Sequence, residues 1–272
     1  LIRLARELNP APDARELDAL MSTGENQSAA LLSVALGSMG ARSVSLAGWQ
    51  AGMYTDGSHG GAALALTFPS RAAAALKDGV IPVIAGFQGV DIHGDVTTLG
   101  RGGSDTSAVA LAAALGAERC EIYTDVNGVY TADPRLVPGA RRVNEIDFGD
   151  MLLLARAGSQ VLHPGSVELA MKNNVELLVL SSAGEPGRTA VHRLDAARRP
   201  DFAGVTRSAE DSTVTLVGAA CRSHTLPEIA AALSAANVRV RGGRMGAGYA
   251  GVKVDAEQMI LALQTLHRYV FE

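Results

Sequence analysis

Aromatic residues are scarce in this chain: one Trp, five Tyr and five Phe among 272 residues. Its interior must therefore rest on Ala, Val and Leu, and the length allows one large domain or two smaller ones. Cysteine is scarcer still. Cys120 and Cys221 lie far apart in apolar, strand-like segments, which suits buried thiols and argues against a disulfide framework or a metal site. Long apolar runs are missing too. Nothing approaches the roughly 20 residues that cross a bilayer, and residues 1–20 carry mixed charge where a signal peptide would be apolar. A membrane partner is thus not expected, and the chain reads as cytoplasmic. The net charge of −4 and the scatter of the basic residues exclude nucleic acid as an expected partner; Arg198-Arg199 reads as part of a solvated linker.

What the chain does have is glycine, concentrated in one informative place. Thr97-Thr98-Leu99-Gly100-Arg101-Gly102-Gly103-Ser104-Asp105-Thr106-Ser107 runs straight into the apolar stretch Ala108–Leu115. Three glycines in four positions before an Ala/Leu-rich run predict a strand-to-helix turn, with Ser104 as N-cap and backbone N–H groups aimed at an anion. Gly100, Gly102 and Gly103 would let a ligand approach the main chain, and Arg101 supplies a fork for a carboxylate or phosphate.

Along the chain, Leu1–Leu8 is helix-like, and Asp13 can cap a short helix carrying Leu17, Leu20 and Met21. Ser22–Ser28 then interrupts it, and Ala29–Met39 is dense enough in Leu and Val to predict a well-buried second helix. Glu25, before that helix, is either a first-turn acid favourable to the helix dipole or a carboxylate for a ligand's ammonium group. Ser43–Ala47 is a short strand, 49–61 a polar connection, and 69–76 a helix. Val80–Ala85 reads as a buried parallel strand, and Cys120–Thr124 as the strand after the helix that follows the glycine turn. Strand, loop, helix and strand make an α/β unit, with ligands expected beyond the carboxyl ends of the strands. There Thr124-Asp125, the Asn127-Gly128 turn, Tyr130 and Asp133-Pro134-Arg135 form a polar, aromatic edge able to hold a nucleotide.

Four segments, RELDALMSTGENQSAALLSVAL, TTLGRGGSDTSAVALAAALGA, CEIYTDVNGVYTADPRLVP and VLHPGSVELAMKNNV, resemble the signature segments of the aspartate kinases, within the amino-acid kinase family. The likeness runs from Leu1 to Ser182. It implies a three-layer α/β/α kinase domain over 1–185 in which ATP phosphorylates the side chain of L-aspartate to 4-phospho-L-aspartate, at the head of lysine, threonine and methionine biosynthesis. Glu25, Arg101, Gly102, Gly103 and Ser104 would hold aspartate, with Asp105 near the transferred phosphoryl and Arg101 also acting in catalysis. Thr124, Asp125, Tyr130, Asp133, Pro134, Arg135 and Gln160 would contact the nucleotide. Mg²⁺ would bridge the phosphates with few protein ligands, touched through water by Asp105 or Asp125, so no residue is assigned as a metal ligand.

Two departures bear on activity. The family opens on a strand with Lys-Phe/Tyr-Gly-Gly, which this chain lacks, so it is expected to be N-terminally truncated and a poor kinase. Gly158-Ser159-Gln160 stands where the family has a lysine. The alternative to a kinase is therefore a catalytically impaired relative that binds ligand as a regulatory or assembly partner; a kinase for a different acid is disfavoured by the GRGGSD loop. His163, before a proline, reads as structural. Residues 186–204 read as a linker. In 205–272 the order βαββα predicts a small ferredoxin-like α+β domain, and with the resemblance in hand this looks like a single ACT domain. The family usually carries two, and Ser223–Pro227 departs from its effector loop. An amino-acid effector, lysine or threonine, and a homo-oligomer paired through the ACT unit are what the resemblance implies; His267 is assigned to packing.

Overall fold

The computed structural model describes residues 1–222 and 225–272; Ser223 and His224, which open the segment compared with an effector loop, lie outside the described residues. The chain divides into two compact units, Leu1–Glu118 and Arg119–Glu272.

In the first unit α1 (Ile2–Leu8) precedes α2 (Ala14–Ser38). The short helix, interruption and second helix expected here are one continuous 25-residue helix capped by Asp13, whose side chain accepts from the Arg15 amide. The interruption fails because the Ser22 and Thr23 hydroxyls donate back to the Ala19 and Leu20 carbonyls at 2.8 and 2.6 Å. Polar side chains that find partners within the helix need not end it. The expected burial of its second half is also corrected: Leu31, Leu32 and Val34 are 62%, 53% and 72% exposed. The face that packs is the one with small residues, where Ala29 is buried and the Ser33 and Ser43 hydroxyls meet at 2.8 Å.

β1 (Ser43–Leu46) pairs in parallel with β4 (Ile81–Ile84), with α3 (Ser70–Lys77) between them in sequence. β4 is half-buried and its first residue exposed, less enclosed than its apolar run suggested. A second sheet, in the order β3-β2-β5-β6, joins β2 (Met53–Thr55), β3 (Leu64–Thr67), β5 (Gln88–Val90) and β6 (Val96–Thr98). β2 lies within the expected polar connection. α4 (Gly103–Leu115) follows β6.

In the second unit β7 (Arg119–Thr124) runs parallel to β9 (Glu176–Ser181) through six register pairs. β10 (Arg188–His192) is antiparallel to β9 and parallel to β8 (Glu145–Asp147). β10 lies inside 186–204, the segment read as a linker. The remainder of that segment is tethered: Arg198 pairs with Glu145 and Arg199 with the fully buried Asp150. α5 (Phe148–Arg156) and α6 (Pro164–Asn173) complete this layer; α6 is capped by His163, whose Nδ1 accepts from the Gly165 amide at 3.2 Å. β4 and β7 thus belong to different hydrogen-bonded sheets.

A fully antiparallel sheet follows, in the order β11-β12-β14-β13, from β11 (Gly204–Ser208), β12 (Thr213–Val217), β13 (Val240–Gly246) and β14 (Tyr249–Val254). With α7 (Thr225–Ala235) and α8 (Met259–Phe271) the order is ββαββα. β11 is one strand more than the expected βαββα and pairs along β12 from Gly204 to Ser208, so β12 is not an open edge. Leu216, Ile229, Leu233, Val252, Leu263 and Leu266 form the core beneath it. Cys120 and Cys221 are both buried, and neither is in a disulfide. Among the described residues, no helix is long and apolar enough to cross a membrane.

Candidate functional site

The glycine turn of the first unit joins β6 to α4. Gly100 and Gly102 have φ of 70° and 72°, in the left-handed region where glycine carries no Cβ penalty. Gly102 is the N-cap and α4 begins at Gly103, which corrects the assignment of Ser104 as cap: Ser104 is the second helical residue and exposed. The cap makes no side-chain hydrogen bond, and the Gly103 amide donates back to the Gly100 carbonyl at 3.1 Å. An uncapped helix start carries partial positive charge, and the exposed Arg101 adds a full one beside it. The arrangement favours an anion.

Gly103 has a different reason from the one its sequence suggested. A Cβ there would lie 2.8 Å from the Leu99 Cβ and 3.0 Å from the Phe87 ring, so the glycine serves internal packing. Phe87 itself is held at φ 67°, a conformation that costs a bulky residue on the order of 1 kcal/mol or more. It persists because its amide donates to the Ser107 hydroxyl at 2.9 Å and its carbonyl accepts from the Leu99 amide at 2.9 Å. Ser107 in turn donates to the Gly103 carbonyl at 2.8 Å, so Phe87 and the turn brace one another. Asp105 is half-buried in the first turn of α4. Glu25 is exposed in the middle of α2, which packs on β6. A mid-helix position removes the helix-dipole reading of Glu25, because that effect is confined to the first turn.

In the second unit Thr124 ends β7, its carbonyl accepting from the Ser182 amide at 2.8 Å, and its hydroxyl donates to Asp125 at 3.1 Å. Asp125 is exposed. The Tyr130 hydroxyl donates to Asn127 at 2.8 Å. Asp133 and Arg135 form a two-pronged pair, both contacts 3.0 Å; the guanidinium holds the Asp133 carboxyl below the usual carboxylate range. Pro134 and Gln160 are exposed in loops. The corner is anchored from behind: the Val205 amide donates to the Thr131 carbonyl at 2.7 Å, and Gln264 of α8 donates to the Leu136 carbonyl at 2.7 Å. Among the described residues, no group of three or more His, Cys, Asp or Glu could hold a metal ion.

Sequence reasoning passed over Asp18, buried on α2, with its partners His59, Gly60 and Thr98. It also missed the bond between Thr131 and His267. Neither carries a local signal, since the partners are 41, 80 and 136 residues apart.

Comparison with known proteins fits this geometry. Residues 2–181 match the model of the amino acid kinase family. The chain is 46% identical over 242 residues to an aspartate kinase of Pseudomonas putida, covering 88% of this chain and 59% of that protein. It is 47% identical over 219 residues to an aspartokinase of Geobacillus stearothermophilus, covering 80% and 54%. It therefore spans less than two thirds of the length of these curated relatives. In fold it matches the crystal structure of E. coli aspartokinase III in complex with aspartate and ADP, with a TM-score of 0.85 at 23% identity over 96% of this chain and 77% of that one. A family match over some two thirds of the sequence, with the glycine turn and the Tyr130–Arg135 corner inside it, shows that this chain belongs to the amino acid kinase family.

Proposed function

We propose that the chain carries aspartate kinase chemistry: transfer of the ATP γ-phosphoryl group to the side-chain carboxylate of L-aspartate, yielding 4-phospho-L-aspartate and ADP. The observation that carries this reading is the turn at Gly100–Gly103, where the uncapped start of α4 and Arg101 offer positive charge to a carboxylate. Glu25 supplies the opposite sign for the substrate ammonium, and Gly102, Gly103 and Ser104 line the place of the carboxylate. Asp105 would face the phosphoryl group. Thr124, Asp125, Tyr130, Asp133, Pro134, Arg135 and Gln160 would receive the nucleotide.

No protein nucleophile is needed. The aspartate carboxylate oxygen attacks phosphorus as the bond to the ADP oxygen breaks, so the protein's work is positioning and charge neutralisation. Mg²⁺ would come with the nucleotide and neutralise phosphate charge, touched through water by Asp105 or Asp125. The antiparallel layer of 205–272 is read as an ACT-like unit that supports homo-oligomers and an amino-acid effector, lysine or threonine, in a cytoplasmic enzyme. The division into a kinase domain over 1–185 and an ACT-like domain over 205–272 belongs to the same proposal, with 186–204 holding β10. ATP-dependent aspartyl hydroxamate formation tests the activity, alongside calorimetric titration with aspartate. Turnover supports a kinase, binding without turnover favours an impaired, ligand-binding relative, and the absence of both refutes the proposal.

A further inference from the structure

Asp18 is a charged group that the proposed chemistry does not use, and it is 2% exposed. Taking a carboxylate out of water costs several kcal/mol unless its lone pairs are satisfied. Here they are satisfied by three donors from two distant segments. Oδ1 accepts from the Thr98 hydroxyl at 2.5 Å. Oδ2 accepts from the Gly60 amide and the His59 ring, each at 3.0 Å. Because a carboxylate only accepts, the proton lies on His59 Nδ1.

Both segments lead to the anion-facing turn. Thr98 is the last residue of β6, three positions before Arg101. The 59–62 segment lies against the turn: the Ala62 amide donates to the Thr98 carbonyl at 2.8 Å, and a Cβ at Gly100 would sit 3.5 Å from the Gly61 Cα. Beside this the Thr55 and Thr97 hydroxyls meet at 2.7 Å, buried. The carboxylate thus fastens three pieces of chain, α2, the 59–62 segment and the end of β6, at the point where the turn begins.

We propose that Asp18 is a positioning residue: its buried carboxylate, through Thr98 and the His59–Gly60 segment, fixes the Gly100–Ser104 turn in the conformation that receives the acceptor carboxylate. The second half of this statement rests on the proposed aspartate kinase reading. Fixing a site in advance removes the ordering cost otherwise incurred on binding.

Three variants test it. Asp18→Ala leaves the Gly60 amide and Thr98 hydroxyl without their acceptor. Asp18→Asn keeps the shape and can accept on one side while donating to the Thr98 oxygen on the other. Thr98→Val removes a single bond without changing the volume. In the free protein, exchange of the hydrogen-bonded amides of Ala62, Leu99 and Gly103 should rise by about tenfold or more in Asp18→Ala and Thr98→Val, and less in Asp18→Asn, while Val109–Ala112 of α4 keep their protection. Aspartate affinity should fall by about tenfold in the same order, with ADP affinity unchanged, which a general loss of stability would not produce. If Asp18→Ala does not fold, Thr98→Val decides. Wild-type exchange at Ala62, Leu99 and Gly103 in Thr98→Val and Asp18→Asn overturns the positioning role. Failure of the wild-type chain to take up aspartate overturns the acceptor assignment instead, and the exchange comparison still decides what Asp18 does.

Discussion

The Thr131 hydroxyl meets the His267 ring at 2.9 Å, with both residues buried. Thr131 Oγ1 also accepts from the Arg141 amide at 3.0 Å, and His267 Nδ1 lies 3.9 Å from Glu272. Burial pushes the His267 pKa below its ordinary value near 6.5. The unfolded chain therefore binds a proton at a pH where the folded chain does not, so stability falls as pH drops below about 6.5, down to the lowered folded value. Thermal melts at pH 7.5 and 5.5 should show a loss at the lower pH that His267→Gln reduces. Equal losses in both proteins would show that this ring is not the titrating group.

Arg101→Ala should leave the fold intact, because the side chain is exposed in a turn. It should weaken aspartate binding by about 10- to 100-fold, the range for one charge-assisted hydrogen-bonded contact. Calorimetric titration checks it, and unchanged affinity would make the turn a structural joint only.

Gly103→Ala is expected to do comparable damage by another route. The added methyl has to displace Leu99 or Phe87, and Phe87 is already in a conformation that its neighbours enforce. Aspartate affinity and thermal stability should both fall. A fall in neither would mean that the turn relaxes at no cost.

Arg135→Ala should weaken ADP binding and leave aspartate binding as it was, since Arg135 and its partner Asp133 belong to the second unit. Equilibrium titrations of both ligands against the one variant separate this from a global effect.

Arg199→Met is the stability test of the second unit. It strips the partner from Asp150, which is fully buried and whose carboxyl burial pushes up against the pull of Arg199. Losing one partner of a buried pair costs about 3 kcal/mol or more, while removing both is far milder. Denaturant unfolding should show that loss in the single variant and recovery of most of it in Asp150→Leu with Arg199→Met.

The chemistry-bearing stretches were legible because each is continuous: Gly100–Ser107 and Thr124–Arg135 carry their turn residues in order, and the structure places them as a strand-to-helix turn and a braced corner. The strands β1, β4, β7, β12 and β14 were legible from apolar runs, and Tyr249–Val254 matches residue for residue. β2, β5 and β6 have three residues each, too few for an alternating pattern to show. The continuity of α2 was hidden because Ser22, Thr23 and Gly24 are each poor helix formers, and only their back-bonds show how the helix tolerates them. Asp18 was hidden for the opposite reason. Flanked by Leu17 and Ala19, it looks like any solvated helix acid until the chain has folded.

The single tryptophan, Trp49, is half exposed just after β1, inside the first unit. Its fluorescence therefore reports from within Leu1–Glu118, whereas far-ultraviolet circular dichroism sums the helices of both units. Coincident transitions by the two probes would mean one cooperative molecule. Separated transitions would identify which half lets go first, with no label added.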